Sequence, residues 1–355
     1  MQFSMAISIL SWRHIYLAPA ISYMKSNFLP KLINDPLGDP GMMVEFLCGQ
    51  RALQFDLGDL SSTSNSDLLK ISHVFISHTH IDHFIGFDHL LRIIFGRGKT
   101  IHMFGPENFI ANVAGKLAGF TWNLVDRYSE SVTMEVTEVH ADRLIKTRFK
   151  ATDRFRKGDE KEEPFVDGVL VDEERITVRA AVLEHRVPCL GFALEEKYHL
   201  NIRKDRLEEM NYPSGSWLNK LKKCIYEGKS DEYLLQVPAG ENKSQRKSLS
   251  QLKEELVLIS PGQKISYVVD TVYNEPNKTR IVDLVRESDI FFCESPFLAE
   301  EEARGLERQH LTARQAGVIA REAGVKKLNV FHFSGRHTFR TEQLVQEAEE
   351  AFRET

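Results

Sequence analysis

The chain has 355 residues, 42% hydrophobic and 27% charged, an ordinary globular composition with enough apolar material for one large α/β domain or two modest ones. Its 46 basic and 51 acidic side chains leave a formal charge of −5, which excludes blanket attraction to nucleic acid, so a phosphate partner requires a local patch. Four cysteines, at positions 48, 189, 224 and 293, show no CxxC spacing; they exclude a disulfide scaffold and read as reduced, mostly buried thiols of a cytoplasmic protein.

Residues 1–34 read as a poorly ordered N-terminal extension ahead of a single domain at 35–355. Its mildly apolar run, Met5 to Met24, is interrupted by Arg13 and His14 and is too polar and too short to span a bilayer, so no membrane partner is expected. It also lacks a preceding basic segment and a clear small-residue cleavage site, which argues against a signal peptide. Residues 42–47 and 51–56 form two strands of a hairpin, ending in Phe55-Asp56-Leu57-Gly58-Asp59. A strand follows at 74–77, then a histidine cluster, then apolar residues at helical spacing over 84–95. The Gly96-Arg97-Gly98 break separates that helix from a strand at 100–104. Residues 107–127 read as helical, 131–140 and 175–184 as extended, and the charged stretch between them as loop, with 143–163 exposed. From 195 to about 260 the composition shifts to Lys, Glu, Asn and Ser, with short helices at 205–210 and 217–226, which marks an inserted arm. Alternation then resumes with strands at 264–270, 290–293 and 327–332 and helices at 278–287, 312–322 and 341–353. Two β-rich halves joined through helices suit a four-layer αβ/βα sandwich.

Ser77-His78-Thr79-His80-Ile81-Asp82-His83 places three imidazoles and a carboxylate within six residues, directly after a strand. Residues two apart on an extended segment point the same way, so His78 and His80 can grip one ion while Asp82 and His83, past the bend, grip a second. A pair of ions about 3.5–4 Å apart is a common device for hydrolysing phosphodiesters or acyl bonds. Further ligands must come from the ends of later strands. His185, Asp270 and His332 occupy such ends, and so does His140, which periodicity does not separate from His185. His73, His89, His102, His199 and His14 read as structural.

The run HTHIDH resembles the HxHxDH signature of metallo-β-lactamase hydrolases, and the downstream segments over about 42–340 resemble the tRNA 3′-processing endonuclease family, ribonuclease Z. His185-Arg-Val-Pro-Cys-Leu-Gly191-Phe192 is similar to the family's His-x5-Gly-Tyr/Phe, which favours His185 over His140 as the third imidazole. Val269-Asp270-Thr271 resembles the strand-end Asp-Thr whose carboxylate bridges both metals, and His332-Phe-Ser334-Gly-Arg336 resembles His-x-Ser-x-Arg, whose histidine completes the second site. Cys293-Glu294-Ser295-Pro-Phe297 and His310-Leu-Thr312-Ala313-Arg-Gln315-Ala316 are similar to two further family segments. Their resemblance implies that His310 protonates the leaving oxygen while Glu294 holds its imidazole; a plain helix-capping neighbour of Thr312 is the alternative. Asp56 matches a carboxylate that orients a metal-bound histidine.

The resemblance implies the four-layer metallo-β-lactamase sandwich, two zinc ions (with manganese or iron as other occupants), Asp82 both as ligand and as the group that positions the attacking water, and a tRNA precursor or another phosphodiester as substrate. Zinc is favoured because His80 stands where iron-binding relatives of this fold tend to carry Glu. The arm falls where ribonuclease Z enzymes carry a tRNA clamp, so Lys220, Lys222, Lys223, Arg246 and Lys247 are candidate RNA contacts. Acids are nearly as numerous there, and a solvated face is an equal alternative. Three departures concern substrate rather than metal: Gly58-Asp59-Leu60-Ser61 replaces Gly-Glu-Gly-Thr, 34–41 lacks the usual Ser/Thr-x-x-Arg-Asn, and His337 stands where Tyr is usual. The rival functions are hydrolysis of a different ester by the same cage, and nucleic-acid binding with a vestigial site. A homodimer is left open, because sequence pattern reads no oligomeric state.

Overall fold

Alternating apolar residues and short turns build two sheets whose buried faces meet. The computed structural model describes residues 27–47, 50–238 and 244–354. The first sheet takes eight strands in chain order: Phe28–Leu32, Met42–Phe46, Ala52–Phe55, Ile71–Phe75, Thr100–Pro106, Thr133–Val139, Arg143–Lys150 and Lys161–Pro164. It is parallel from Ala52–Phe55 through Thr133–Val139 and antiparallel at both margins. The second sheet runs Leu328–Phe331, Ile290–Glu294, Lys264–Val268, Pro188–Glu196, Ile176–Glu184, Val169–Asp172, with its first three strands parallel.

Phe55 stacks on Phe75 at 5.0 Å between the sheets and meets Phe192 of the second sheet at 5.7 Å. These rings are wholly buried, and truncating one to alanine costs about 3–5 kcal/mol. Helices Phe87–Ile94 and Phe109–Ala118 cover the outer face of the first sheet with Leu90, Leu91, Ile94 and Val113. Helices Glu275–Val285 and Ala313–Glu322 cover the second with Ile281, Val285, Ile319 and Ala320. Helix, sheet, sheet, helix is the four-layer αβ/βα sandwich that the sequence pattern suggested. Parallel strands in both sheets send their carboxyl ends to loops, and those loops carry the histidine-rich segments.

Three readings differ from the sequence expectation. The reading of 1–34 as an extension holds a strand, Phe28–Leu32, paired with Met42–Phe46; the run from Met5 to Met24 and His14 lie outside the described residues, as do the Cys48-Gly49 turn and any placement of Cys48. The segment expected as exposed loop over 143–163 begins with the strand Arg143–Lys150, which buries Leu144, Thr147 and Phe149. Its charged residues stay at least partly exposed among buried Leu144, Thr147 and Phe149, so composition mimics a loop while pairing with Thr133–Val139 satisfies the backbone. The arm is more than polar insertion. It closes a core of its own from Leu207, Trp217, Leu221, Leu235, Leu249 and Leu252, and its strands His199–Ile202 and Val257–Ser260 pair at its root. Among the described residues no helix is long and apolar enough to cross a membrane.

Candidate metal centre

Strand Ile71–Phe75 delivers Ser77 and His78, both fully buried, to the end of the first sheet, and the short helix Ile81–Phe84 turns Asp82 and His83 back towards them. Asp56 anchors this corner. Its carboxylate accepts hydrogen bonds from the Ser77 amide (2.6 Å), the Ser77 hydroxyl (2.8 Å) and the Tyr267 hydroxyl (2.9 Å), and lies 3.0 Å from His83 Nδ1. That contact fixes the His83 ring so that Nε2 faces inward.

The second sheet contributes from the opposite side. Asp270 follows strand Lys264–Val268, Glu294 closes Ile290–Glu294, and His332 follows Leu328–Phe331. Asp56, Asp270 and His332 all adopt left-handed backbone (φ 53°, 50° and 58°), a region that Asn, Asp and His enter more readily than other side chains and that clusters at functional sites. His185 occupies the turn between Ile176–Glu184 and Pro188–Glu196, with Nδ1 2.8 Å from the Gln309 carbonyl.

The donor atoms converge on Asp270. His78 Nε2 and His83 Nε2 each lie 3.4 Å from its Oδ2, His185 Nε2 lies 3.7 Å from Oδ2, and His332 Nδ1 lies 3.0 Å from Oδ1. Asp82 reaches His83 at 3.4 Å and His332 at 3.6 Å. Three overlapping groups of donors result: His78, His80, His185 and Asp270; Asp82, His83 and His332; and Asp270, Glu294, His310 and His332. Buried His78 Nε2, His83 Nε2, Asp270 Oδ1 and His332 Nδ1 have no hydrogen-bond partner among the described residues. Orphaned buried polar atoms are costly unless something else binds them, and a divalent cation accepted by imidazole and carboxylate is what this donor set fits.

Electrostatics agree with that fit. Burial and the neighbouring His83 ring push His78 down to about 2, so its imidazole is a neutral donor. Burial works against the charged forms of His83 and His332, but the surrounding carboxylates, Asp270 with Asp56 for His83 and Asp270 with Asp82 and Glu294 for His332, together outweigh it and raise both. Burial would raise Asp82 and Asp270, yet contact with His332 and His83 holds both carboxyls below the usual carboxylate range. Metal ligation would require the imidazoles in neutral form.

His310 stands beside the cluster. Its Nδ1 is 2.8 Å from Oε2 of Glu294 and 3.7 Å from Asp270 Oδ1. Burial opposes its protonation, and the Glu294 carboxylate more than compensates, raising it. Glu294 is itself fixed by the Thr271 and Leu311 amides at 2.9 and 3.1 Å. Thr312, rather than His310, caps helix Ala313–Glu322 through the Gln315 amide. His140 is elsewhere, 2.9 Å from Glu138, and His73 stacks on His102 at 4.6 Å. Sequence reading did not single out Tyr267, whose hydroxyl supports Asp56, nor the Gln309 carbonyl that orients His185; Tyr267 lies on the strand that ends before Asp270, the one available signal. Cys189, Cys224 and Cys293 are buried and free. On the arm, Lys220, Lys223 and Arg246 are exposed and Lys222 is partly exposed. Lys247 is held at 2.8 Å by Glu255.

No protein-family model matches the chain. It is 26% identical over 292 residues to a ribonuclease Z of Deinococcus radiodurans, covering 81% of this chain and 84% of the relative, and 28% identical over 295 residues to a ribonuclease Z of Porphyromonas gingivalis, covering 81% and 79%. Its fold matches the metallo-β-lactamase fold protein YhfI of Bacillus subtilis, with a TM-score of 0.51 at 16% identity over 89% of this chain and 86% of that one. Fold and donor cluster together place the chain among proteins of the metallo-β-lactamase fold, with a candidate metal centre at its strand ends. Within that class the chain is ribonuclease Z-like, the resemblance running through about four fifths of its length.

Proposed function

We propose that the chain is a two-zinc endoribonuclease of the ribonuclease Z type that cleaves tRNA precursors on their 3′ side. The observation that carries the reading is the convergence of orphaned donors on one shared carboxylate: Asp270 belongs both to the group with His78, His80 and His185 and to the group with His332, which also meets Asp82 and His83. His78, His80 and His185 would hold one zinc ion and Asp82, His83 and His332 a second, with Asp270 within reach of both sets. Ions held there would supply positive charge against the charge that builds on the reacting phosphate.

The chain's own groups supply the rest. Asp82, with its side chain 37% exposed and its carboxyl held ionised, positions and accepts a proton from the attacking water. Glu294 holds His310 through Nδ1, which leaves Nε2 free to hand a proton to the leaving ribose oxygen. Asp56, through His83 and Ser77, keeps the first corner rigid. That the relatives are ribonucleases supports RNA as substrate, and the arm offers Lys220, Lys222, Lys223 and Arg246 for phosphates; Lys247, already engaged by Glu255, contributes least.

The test combines elemental analysis of the purified chain with a hydrolysis panel of a tRNA precursor, bis-p-nitrophenyl phosphate, a thioester and a β-lactam. The expected outcome is two zinc ions per chain and cleavage of the precursor at its 3′ side. Hydrolysis of another ester with no precursor cleavage would transfer the same cage to the other-ester reading, and binding of RNA without any hydrolysis would leave a vestigial site.

A further inference from the structure

Away from the metal centre, between the short helix Asn65–Leu68 and helix Phe87–Ile94, the surface opens into a cavity of about 480 Å³. Its floor is apolar, made by Leu69, Ile93 and Phe95, and its polar wall is basic, made by His89, Arg92 and Arg97. No carboxylate lines it. Neither guanidinium has a hydrogen bond or ion pair among the described residues; Asp88, one turn before Arg92 on the same helix, pairs instead with Lys116 at 3.1 Å. In a chain of net charge −5, two guanidiniums lining one cavity without a carboxylate in its wall form a local positive field.

The backbone is shaped to hold one of them there. Gly96 and Gly98 both have positive φ, +74° and +59°, and flank Arg97. A Cβ at Gly96 would stand 2.5 Å from the Tyr128 ring, so the turn needs glycine both for its conformation and for close approach to that ring. Tyr128, half exposed, meets Phe95 edge-on at 4.8 Å, and Trp122 meets Phe95 at 5.5 Å. Flat apolar surface beside paired guanidiniums is the combination that recognises a planar base carrying a phosphate, and the volume falls in the range of small-ligand sites, about 300–1,000 Å³.

We propose that this cavity is a nucleotide-binding site, with a phosphate between Arg92 and Arg97 and the base on the Leu69, Ile93 and Phe95 floor. The ligand is a phosphorylated nucleoside, free or as one residue of an RNA chain. The site is separate from the metal centre and stands whether or not the chain is a tRNA-processing enzyme.

The experiment titrates AMP and, separately, a pentaribonucleotide into the metal-loaded full chain and into an Arg92→Ser/Arg97→Ser variant, by calorimetry and Trp122-sensitive fluorescence. Hydrolysis of bis-p-nitrophenyl phosphate is followed alongside, both to monitor folding and to separate this site from the metal centre. Losing charge-assisted contacts worth about 1.5–3 kcal/mol predicts a fall of about tenfold or more in the affinity component that does not inhibit diester hydrolysis, with the hydrolysis rate unchanged. An Arg92→Lys/Arg97→Lys variant should keep part of the affinity. Arginine-dependent binding of AMP identifies a free nucleotide as sufficient; arginine-dependent binding of the pentamer alone assigns the phosphate to an RNA chain. Equal binding to wild type and the serine variant, or binding seen only as inhibition at the metal centre, overturns the proposal.

Discussion

At the metal centre, side chains from segments as distant as His78 and His332 converge on one buried carboxylate, whereas the arm over 199–260 keeps most of its contacts to itself. Asp270 is 3% exposed and touches His78, His83, His185, His310 and His332. The arm packs Leu221, Leu249 and Leu252 in a separate core and joins the sandwich through few contacts, among them Asn27 to the Tyr226 hydroxyl at 2.8 Å and the Arg175 guanidinium 3.5 Å over the Tyr226 ring. A site built by convergence fails as a unit when one member is lost. An appendage with its own core adds or removes affinity without touching the chemistry.

The sharpest way to break this contrast is at its hub. Asp270→Ala should abolish hydrolysis and strip metal, because the carboxylate serves both donor sets, while His140→Ala should do neither; metal analysis and rate measurements on the pair decide it. Retention of both metals by Asp270→Ala would remove the shared-carboxylate reading. Next in size is His310→Ala, expected to keep full metal content and lose about 10²–10⁴ in rate on a substrate with a poor leaving group, since a general acid binds no ion. An unchanged rate would take His310 out of the mechanism.

A smaller effect separates structural histidines from ligating ones. Burial, then the Arg51 charge, pushes His73 down to about 3 from an ordinary 6.5. A depressed folded-state pKa means that the unfolded chain takes up the proton first, so stability is full above pH 6.5 and is lost as pH falls towards 3. At pH 5 the loss is about 2 kcal/mol. Denaturant unfolding at pH 7 and pH 5 should show a loss about 2 kcal/mol smaller in His73→Gln than in the wild type, the remainder coming from other histidines with depressed pKa such as His78.

The smallest effect lies on the arm. Arg246→Ala and Lys220→Ala should each lower the salt dependence of tRNA-precursor binding by about one phosphate contact, and Lys247→Ala by nearly none, because Glu255 already neutralises it. Hydrolysis of a small chromogenic diester should be the same in all three. Equal loss on both substrates would mean that the arm supports the catalytic sandwich after all.

Much of the centre was legible along the chain. His78, His80, Asp82 and His83 lie within one strand-to-loop segment, so local spacing alone brings them near each other, and alternation of strands and helices was enough to indicate a layered α/β sandwich. The strand Arg143–Lys150 was not legible, because its charged residues break the apolar alternation on both faces and look like loop until a partner strand is known. The independent core of the arm was hidden for a related reason: Leu207, Leu221, Leu235 and Leu252 are too widely spaced to read as one cluster before the chain folds back.

The sequence by itself determined the chemistry available: which side chains can bind a cation, which strands end in them, and which segments resemble a known hydrolase. Only the tertiary structure decided which of those groups meet. Periodicity gave His140 and His185 equal standing at strand ends, and packing placed His140 on Glu138 and His185 on Asp270. It also recruited Tyr267 and the Gln309 carbonyl as supports. The physical reason is that ligand geometry depends on distances between strands of different sheets, set by how the aromatic core between those sheets packs, and no local pattern encodes that separation.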